Sequence, residues 1–170
     1  GSSKSHYWMK KFNISLYRCL SCTSGYSKLI PKDLDDVYDN NAQFNFHQKS
    51  YEQNRNYRIK RFGKERLDLI LKFKKFGNLL DIGCGNGWFL QAVKKKFNVE
   101  GVEANVQLCN FVKKKLKVNV HKNIKNLKKN FFDVITLFDV VEHLKKPIQF
   151  LKKTSSLLKK NGIILIYTPN

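Results

Sequence analysis

Residues 79–90 read Leu-Leu-Asp-Ile-Gly-Cys-Gly-Asn-Gly-Trp-Phe-Leu. An apolar run closes on Asp81, glycine then occupies positions 83, 85 and 87, and an amphipathic pattern starts at once. Glycine at every second position suits a tight strand-to-helix turn whose backbone carries no side chains. Such a turn lets a ligand lie against main-chain N–H groups at the start of the helix, beyond the carboxyl end of a parallel strand. The segment therefore predicts an α/β fold that binds a nucleoside-containing cofactor at that strand end.

Downstream the chain alternates strictly. Apolar runs at 78–82, 99–102, 118–121, 132–138 and 162–167 read as strands. Amphipathic stretches at 87–97, 105–116 and 147–159 read as helices. Nearly continuous apolar strands between such helices predict a doubly wound, Rossmann-like parallel sheet covered on both faces. Upstream, 51–76 has a helical pattern, with Ile59, Phe62, Leu67, Ile70, Leu71 and Phe73 as its core stripe. Residues 1–50 are rich in Tyr and Asn and poorly periodic, with one short strand pattern at 14–18. Pro31 and residues 33–39 read as a turn and a short helical piece. The lead-in is thus expected to be irregular, an aromatic cap over the sheet or a lid over the ligand pocket. Domain one is 1–50 and domain two 51–170.

A chain of 170 residues with 42% hydrophobic residues can bury a core of its own. No apolar run approaches the ~20 residues of a membrane helix, and the first twenty residues lack the apolar centre of a secretory signal. The start Gly1-Ser2-Ser3, without an initiator Met, predicts a trimmed end. Net charge is +20, from 33 Lys+Arg against 13 Asp+Glu, which attracts polyanions. Most of these cations are lysines on expected solvated helix faces, such as 94–96 and 113–115, so nucleic acid is not the expected partner. The four cysteines are too scattered for a disulfide framework and fit a reducing cytoplasm.

The turn has G-x-G-x-G spacing, one residue shorter than the dinucleotide fingerprint, which weighs against a pyrophosphate cradle. Glu103 follows 20 residues after Gly83, at the end of the second strand. An acidic side chain there accepts hydrogen bonds from both hydroxyls of a ribose. The plainer reading is a solvated glutamate at a strand end.

Four ordered segments now point to one family. They are Asp81 to Gly87, Gly101-Val102-Glu103, Phe132 to Leu144 and Leu157 to Ile163. Together they resemble class I S-adenosylmethionine-dependent methyltransferases, over residues 50–170. The subgroup most similar carries a strand-four segment like Phe132 to Leu144 and a Thr-Pro-Asn like 168–170. The resemblance implies S-adenosylmethionine as cofactor. It implies that Gly83, Cys84, Gly85 and Gly87 bring backbone near the methionine and ribose, with Asp81 beside the aminoacyl end. It places Glu103 on the ribose, Ala104 beside the adenine, and Phe138 at the cofactor's edge. Where the family often has an acidic residue to read the adenine amine, this chain has Asn123.

Asp139 and His143 are the candidate catalytic residues, at the carboxyl end of strand four near the methyl group. Methyl transfer needs alignment and, for an alcohol or amine, a base. His143 is the natural candidate for that base, because its ordinary pKa is near neutral. Two alternatives stay open: Glu142 and His143 brace the short helix, or the segment holds a divalent metal. No metal site is assigned. Cys19-x-x-Cys22 resembles the second cysteine pair of a zinc ribbon found in some members. Residues 1–18 hold no first pair. Two thiolates do not complete a zinc site, even with His6 or His47 considered, so a vestigial ribbon is expected.

The resemblance implies the strand order 3-2-1-4-5, with strands 6 and 7 missing after residue 170. The expected function is methyl transfer to oxygen or nitrogen of a small-molecule acceptor, a sugar or glycan precursor by subgroup. The alternatives are an RNA methyltransferase and a non-catalytic cofactor-binding module. No membrane partner is expected. A homodimer through the edge of strand five is, because that strand is apolar and carries no charge from 162 to 167.

Overall fold

The computed structural model describes residues 4–11, 14–27, 49 and 53–169. His47, Pro31 and the stretch 33–39 lie outside them. The chain divides into two units, 1–34 and 35–170.

The first unit corrects one expectation. The described part of the lead-in is not irregular: β1 (Ser5–Lys11), β2 (Ile14–Cys19) and β3 (Gly25–Ser27) form an antiparallel sheet in that order. Tyr7, Tyr17 and Tyr26 stand opposite one another across it, with ring centroids 6.2 and 6.3 Å apart. Such cross-strand aromatic pairs stabilise a small sheet. The register of β1 against β2 shifts between Tyr7 and Met9. That bulge breaks the two-residue alternation, so β1 carries no readable strand pattern.

In the second unit, residues 53–58 are helical, Ile59–Gly63 forms a π-turn, and α1 (Lys64–Leu71) continues the run. The sheet then follows: β4 (Asn78–Ile82), α2 (Trp88–Val93), β5 (Asn98–Val102), α3 (Val106–Leu116), β6 (Asn119–His121), β7 (Phe132–Phe138), α4 (Pro147–Ser155) and β8 (Leu158–Tyr167). All neighbours are parallel and the order is β6-β5-β4-β7-β8, the expected 3-2-1-4-5. Central β4 is buried from Leu79 to Ile82, as a strand covered on both faces must be.

Alternate residues of the strands feed two cores. Leu79 and Val134 pack with Ile70, Phe89, Val93 and Val112 beneath α1, α2 and α3. Leu80, Ile135 and Leu137 pack on the other face with Phe150 and Leu151 of α4 and Ile124 and Leu127 of the 122–131 loop. Asn105 caps α3, its Oδ1 accepting from the Leu108 N–H at 2.9 Å.

Two local readings change. Phe62 and Phe73 were expected in the core stripe of the helical run, but they are 39% and 65% exposed. The π-turn adds a residue to the helical repeat, which shifts the phase of a 3.6-residue pattern at Phe62. Phe73 falls beyond the end of α1. The last strand begins at Leu158 rather than 162, and α4 ends at Ser155 rather than 159. Asn161 takes a left-handed φ of 66°, inside the stretch where the register with β7 shifts.

Candidate functional site

Beyond the carboxyl ends of β4 and β7 lies a cleft of about 710 Å3. The turn after β4 forms its floor, and the helical run forms one wall through Arg58, Phe62, Arg66 and Leu69. Phe138 and Asp139 of the β7 end and Tyr167 and Pro169 of the β8 end close the other side.

Asp81 is 3% exposed and its Oδ1 accepts from the Thr136 hydroxyl at 2.7 Å. Burial pushes its carboxyl up to about 7, against the pull of the Thr136 hydrogen bond and the Arg66 charge. The group lies at the bottom of the cleft.

Glu103 links the turn to the next strand end. One carboxylate oxygen accepts from the Gly85 N–H at 2.8 Å, the other from the Asn105 N–H at 2.9 Å. Each oxygen keeps a second lone-pair direction, so the fixed carboxylate can still accept from a diol.

The turn itself corrects the opening inference about main-chain donors. The Gly83 and Cys84 N–H groups both donate to the Val102 carbonyl, at 2.8 and 3.0 Å, and the Gly87 N–H donates to Cys84. With Gly85 bound to Glu103, these four amides are satisfied inside the protein. What the glycines supply is conformation and room. Gly83, Gly85 and Gly87 have φ of 75°, 50° and 71°. A Cβ on Gly83 would strike Val140, and one on Gly87 would come within 2.8 Å of Val112. A Cβ on Gly85 would meet nothing within 4 Å, because it would point into the open cleft.

Arg66 is a cleft residue that sequence reasoning missed. Its guanidinium lies over Phe138 at 3.9 Å, Trp88 at 4.9 Å and Tyr167 at 5.4 Å. One nitrogen reaches Asp139 Oδ2 at 4.0 Å, and Nη1 is buried with no hydrogen-bond partner among the described residues. Burial, and the nearby Arg58 charge, lower its pKa, while Asp139 and Asp81 oppose them. A signal existed: Arg66 sits four residues after Phe62 and beside Leu67, a cation within a mostly apolar stripe.

The structure thus gathers Asp81, Gly83, Cys84, Gly85, Phe138 and Asp139 around one cleft. Cys84 contributes backbone only. Its thiol is buried against Gly101, and burial raises its pKa well above the ordinary thiol value. Phe138 packs edge-on to Phe89 at 4.9 Å. Asp139 holds a left-handed φ of 57°, its N–H donating to Tyr167 at 2.9 Å. Gly87, Glu103, Ala104, Asn123 and His143 are outside the cleft lining. Ala104 is exposed beside Glu103. Asn123 Oδ1 accepts from the Lys125 N–H at 3.0 Å, which occupies one of its acceptor directions. His143 is exposed, in a 3-10 turn at Val141–His143. Among the described residues no group of three or more His, Cys, Asp or Glu could hold a metal.

With this geometry in hand, comparison with known proteins decides the family. Residues 51–170 match the family described as Methyltransferase domain. The chain belongs to that family. Its relatives include a ubiquinone biosynthesis O-methyltransferase of Pelagibacter ubique, 39% identical over 100 residues, covering 54% of this chain and 42% of that protein. A malonyl-[acyl-carrier protein] O-methyltransferase of Halalkalibacterium halodurans is 29% identical over 105 residues, covering 53% and 38%. The crystal structure of a SAM-dependent methyltransferase from Archaeoglobus fulgidus superposes with a TM-score of 0.58 at 27% identity, covering 71% of this chain and 58% of that one. The chain spans about two fifths of the length of these two curated relatives.

Proposed function

We propose that this methyltransferase-family chain binds S-adenosylmethionine and transfers its methyl group to an oxygen of a small-molecule acceptor. The observation that carries the reading is the Glu103 carboxylate, clamped by the Gly85 and Asn105 amides beside the open space above Gly85. A ribose diol fits that donor-poor, acceptor-rich corner, and a side chain on Gly85 would occupy its approach. The relatives' names support oxygen as the acceptor atom. A nitrogen acceptor, and a sugar or glycan precursor as substrate, draw on subgroup resemblance.

When bound, the cofactor supplies the electrophilic methyl and its own thioether leaving group. The chain's residues hold and orient. Arg66, stacked on three rings with a buried unpaired N–H, is suited to the cofactor's carboxylate. Asp81, at the floor, is suited to its ammonium. Asp139 lines the cleft and His143 lies four residues on, so these are the groups assigned to take the acceptor's proton. Four free thiols fit a reducing compartment, which we take as the cytoplasm. No helix of the described residues is long and apolar enough to cross a membrane. The edge of β8 has no strand beyond it among the described residues, and we assign it to pairing with a second copy.

Calorimetry with S-adenosylhomocysteine tests the reading, followed by methyl transfer from labelled donor to a panel of hydroxylated metabolites. We expect saturable 1:1 binding and label in an alkali-stable methyl ether or an alkali-labile methyl ester. Absence of S-adenosylhomocysteine binding overturns it.

A further inference from the structure

One charged side chain lining the cleft is left without a role by the cofactor reading. Arg58 lines the helical wall with Phe62, Arg66 and Leu69, at spacings that place all four on one side of the run. The other charges of the cleft are matched. Glu65 pairs with Arg61, Asp139 lies against Arg66, and Asp81 is bonded to Thr136. Arg58 has no ion pair or hydrogen bond among the described residues, and it is exposed where Arg66 is half-buried. It therefore stands nearer the mouth.

Two further observations point to a ligand there. Arg58 is close enough to Arg66 for its charge to oppose the Arg66 cation. Two guanidiniums on one wall repel unless an anion lies between or beside them, and a guanidinium offers a planar fork of donors that suits carboxylate or phosphate. Arg58 is also the residue that enters the π-turn at Ile59–Gly63. Such turns re-aim side chains, often at functional sites. Here Phe62 of the turn lines the same cleft as the cation.

We propose that Arg58, beside Phe62 and Leu69, binds an anionic group carried by the methyl acceptor, a carboxylate or a phosphate. The inference rests on the methyl-transfer reading, because it assigns Arg66 to the cofactor and leaves Arg58 to the second substrate. It narrows the acceptor to hydroxylated acids or phosphate esters.

The test uses benzoate, phenyl phosphate and uncharged benzyl alcohol as probes, titrated into the 170-residue chain with and without S-adenosylhomocysteine. The expected result is binding of one charged probe at least tenfold tighter than benzyl alcohol to the S-adenosylhomocysteine-loaded protein. The better of the two charged probes names the group. Arg58→Gln should abolish the preference and Arg58→Lys should keep most of it, while S-adenosylhomocysteine binds both variants as it binds the parent. Equal binding of all three probes overturns the proposal, as does binding of none, or a preference that survives in Arg58→Gln. Displacement of the probe by S-adenosylhomocysteine, or a matched loss of S-adenosylhomocysteine affinity in Arg58→Gln, places Arg58 in the cofactor site and also overturns it. A chain that binds no S-adenosylhomocysteine yet selects a charged probe through Arg58 would refute methyl transfer and leave the anion site standing.

Discussion

Glu103 clamps the glycine turn, and substitution tests the ribose contact proposed for it. Its carboxylate ties Gly85 to Asn105 and keeps lone pairs to accept from the proposed ribose. Glu103→Ala should weaken S-adenosylhomocysteine by about 1.5–3 kcal/mol, the range for hydrogen bonds to a charged group; unchanged affinity by calorimetry removes Glu103 from the site. Gly85→Ala offers a contrast, since its Cβ meets no protein atom. The left-handed φ of 50° costs about 1–2 kcal/mol of stability, whereas cofactor affinity should fall far more. Asp81 sets a pH dependence. Its folded-state pKa is raised to about 7, so between the ordinary carboxylate pKa near 4 and 7 the native state holds a proton that the unfolded chain has lost. Stability should therefore fall as pH rises through that window and level off above 7. Asp81→Asn should flatten the slope in denaturant titrations at pH 4.5 and 7.5. For chemistry, His143→Ala should lower turnover more than S-adenosylhomocysteine affinity if it takes the acceptor's proton, and equal losses would point to bracing of the 3-10 turn. Legibility at this scale was uneven. Asp81, the glycines and Glu103 announce themselves because backbone conformation and a strand-end carboxylate demand particular residue types. Arg58 does not, since a cation looks alike in a solvated face and in a cleft wall, and Arg66 is marked only by its place within a mostly apolar stripe.

The helical run that forms the cleft wall is held by a close approach at Gly63. A Cβ there would lie 2.7 Å from the Ala92 methyl of α2, although its backbone is ordinary helix with φ of −62°. By propensity alone Gly63→Ala should stabilise by about 0.8–1 kcal/mol. The clash should reverse the sign, giving a net loss of about 1–3 kcal/mol, and Ala92→Gly in the same chain should restore most of it. Thermal melts of the two single variants and the double decide this. The strands were readable because apolar continuity is a strong signal in a covered parallel sheet. The π-turn and the β1 bulge were not, since each adds one residue to a repeat and so erases the period by which helices and strands are recognised.

Across the whole molecule, the cofactor end of the sheet is flanked by helices, while β8 is left at an edge with Ile166 and Tyr167 exposed at 42% and 54%. Pairing of that edge predicts a concentration-dependent dimer of the 170-residue chain in light scattering, dissociated by Ile166→Lys; a monomer at all concentrations would dismiss it. In the second unit the sequence alone determined the order of strands and helices, the place of the glycine turn and the acidic residue at the next strand end. These follow from local rules, apolar period and backbone sterics, which act over a few residues at a time. Tertiary structure decided what those residues do. It spent the turn's amides on Val102 and Glu103, drew Asp81 into the interior where desolvation raises its pKa, and set Arg66 over three rings from three different elements. Such outcomes depend on groups brought together from segments up to a hundred residues apart, as Arg66 and Tyr167 are. No local pattern encodes the electric field or the spare donor that results from their meeting.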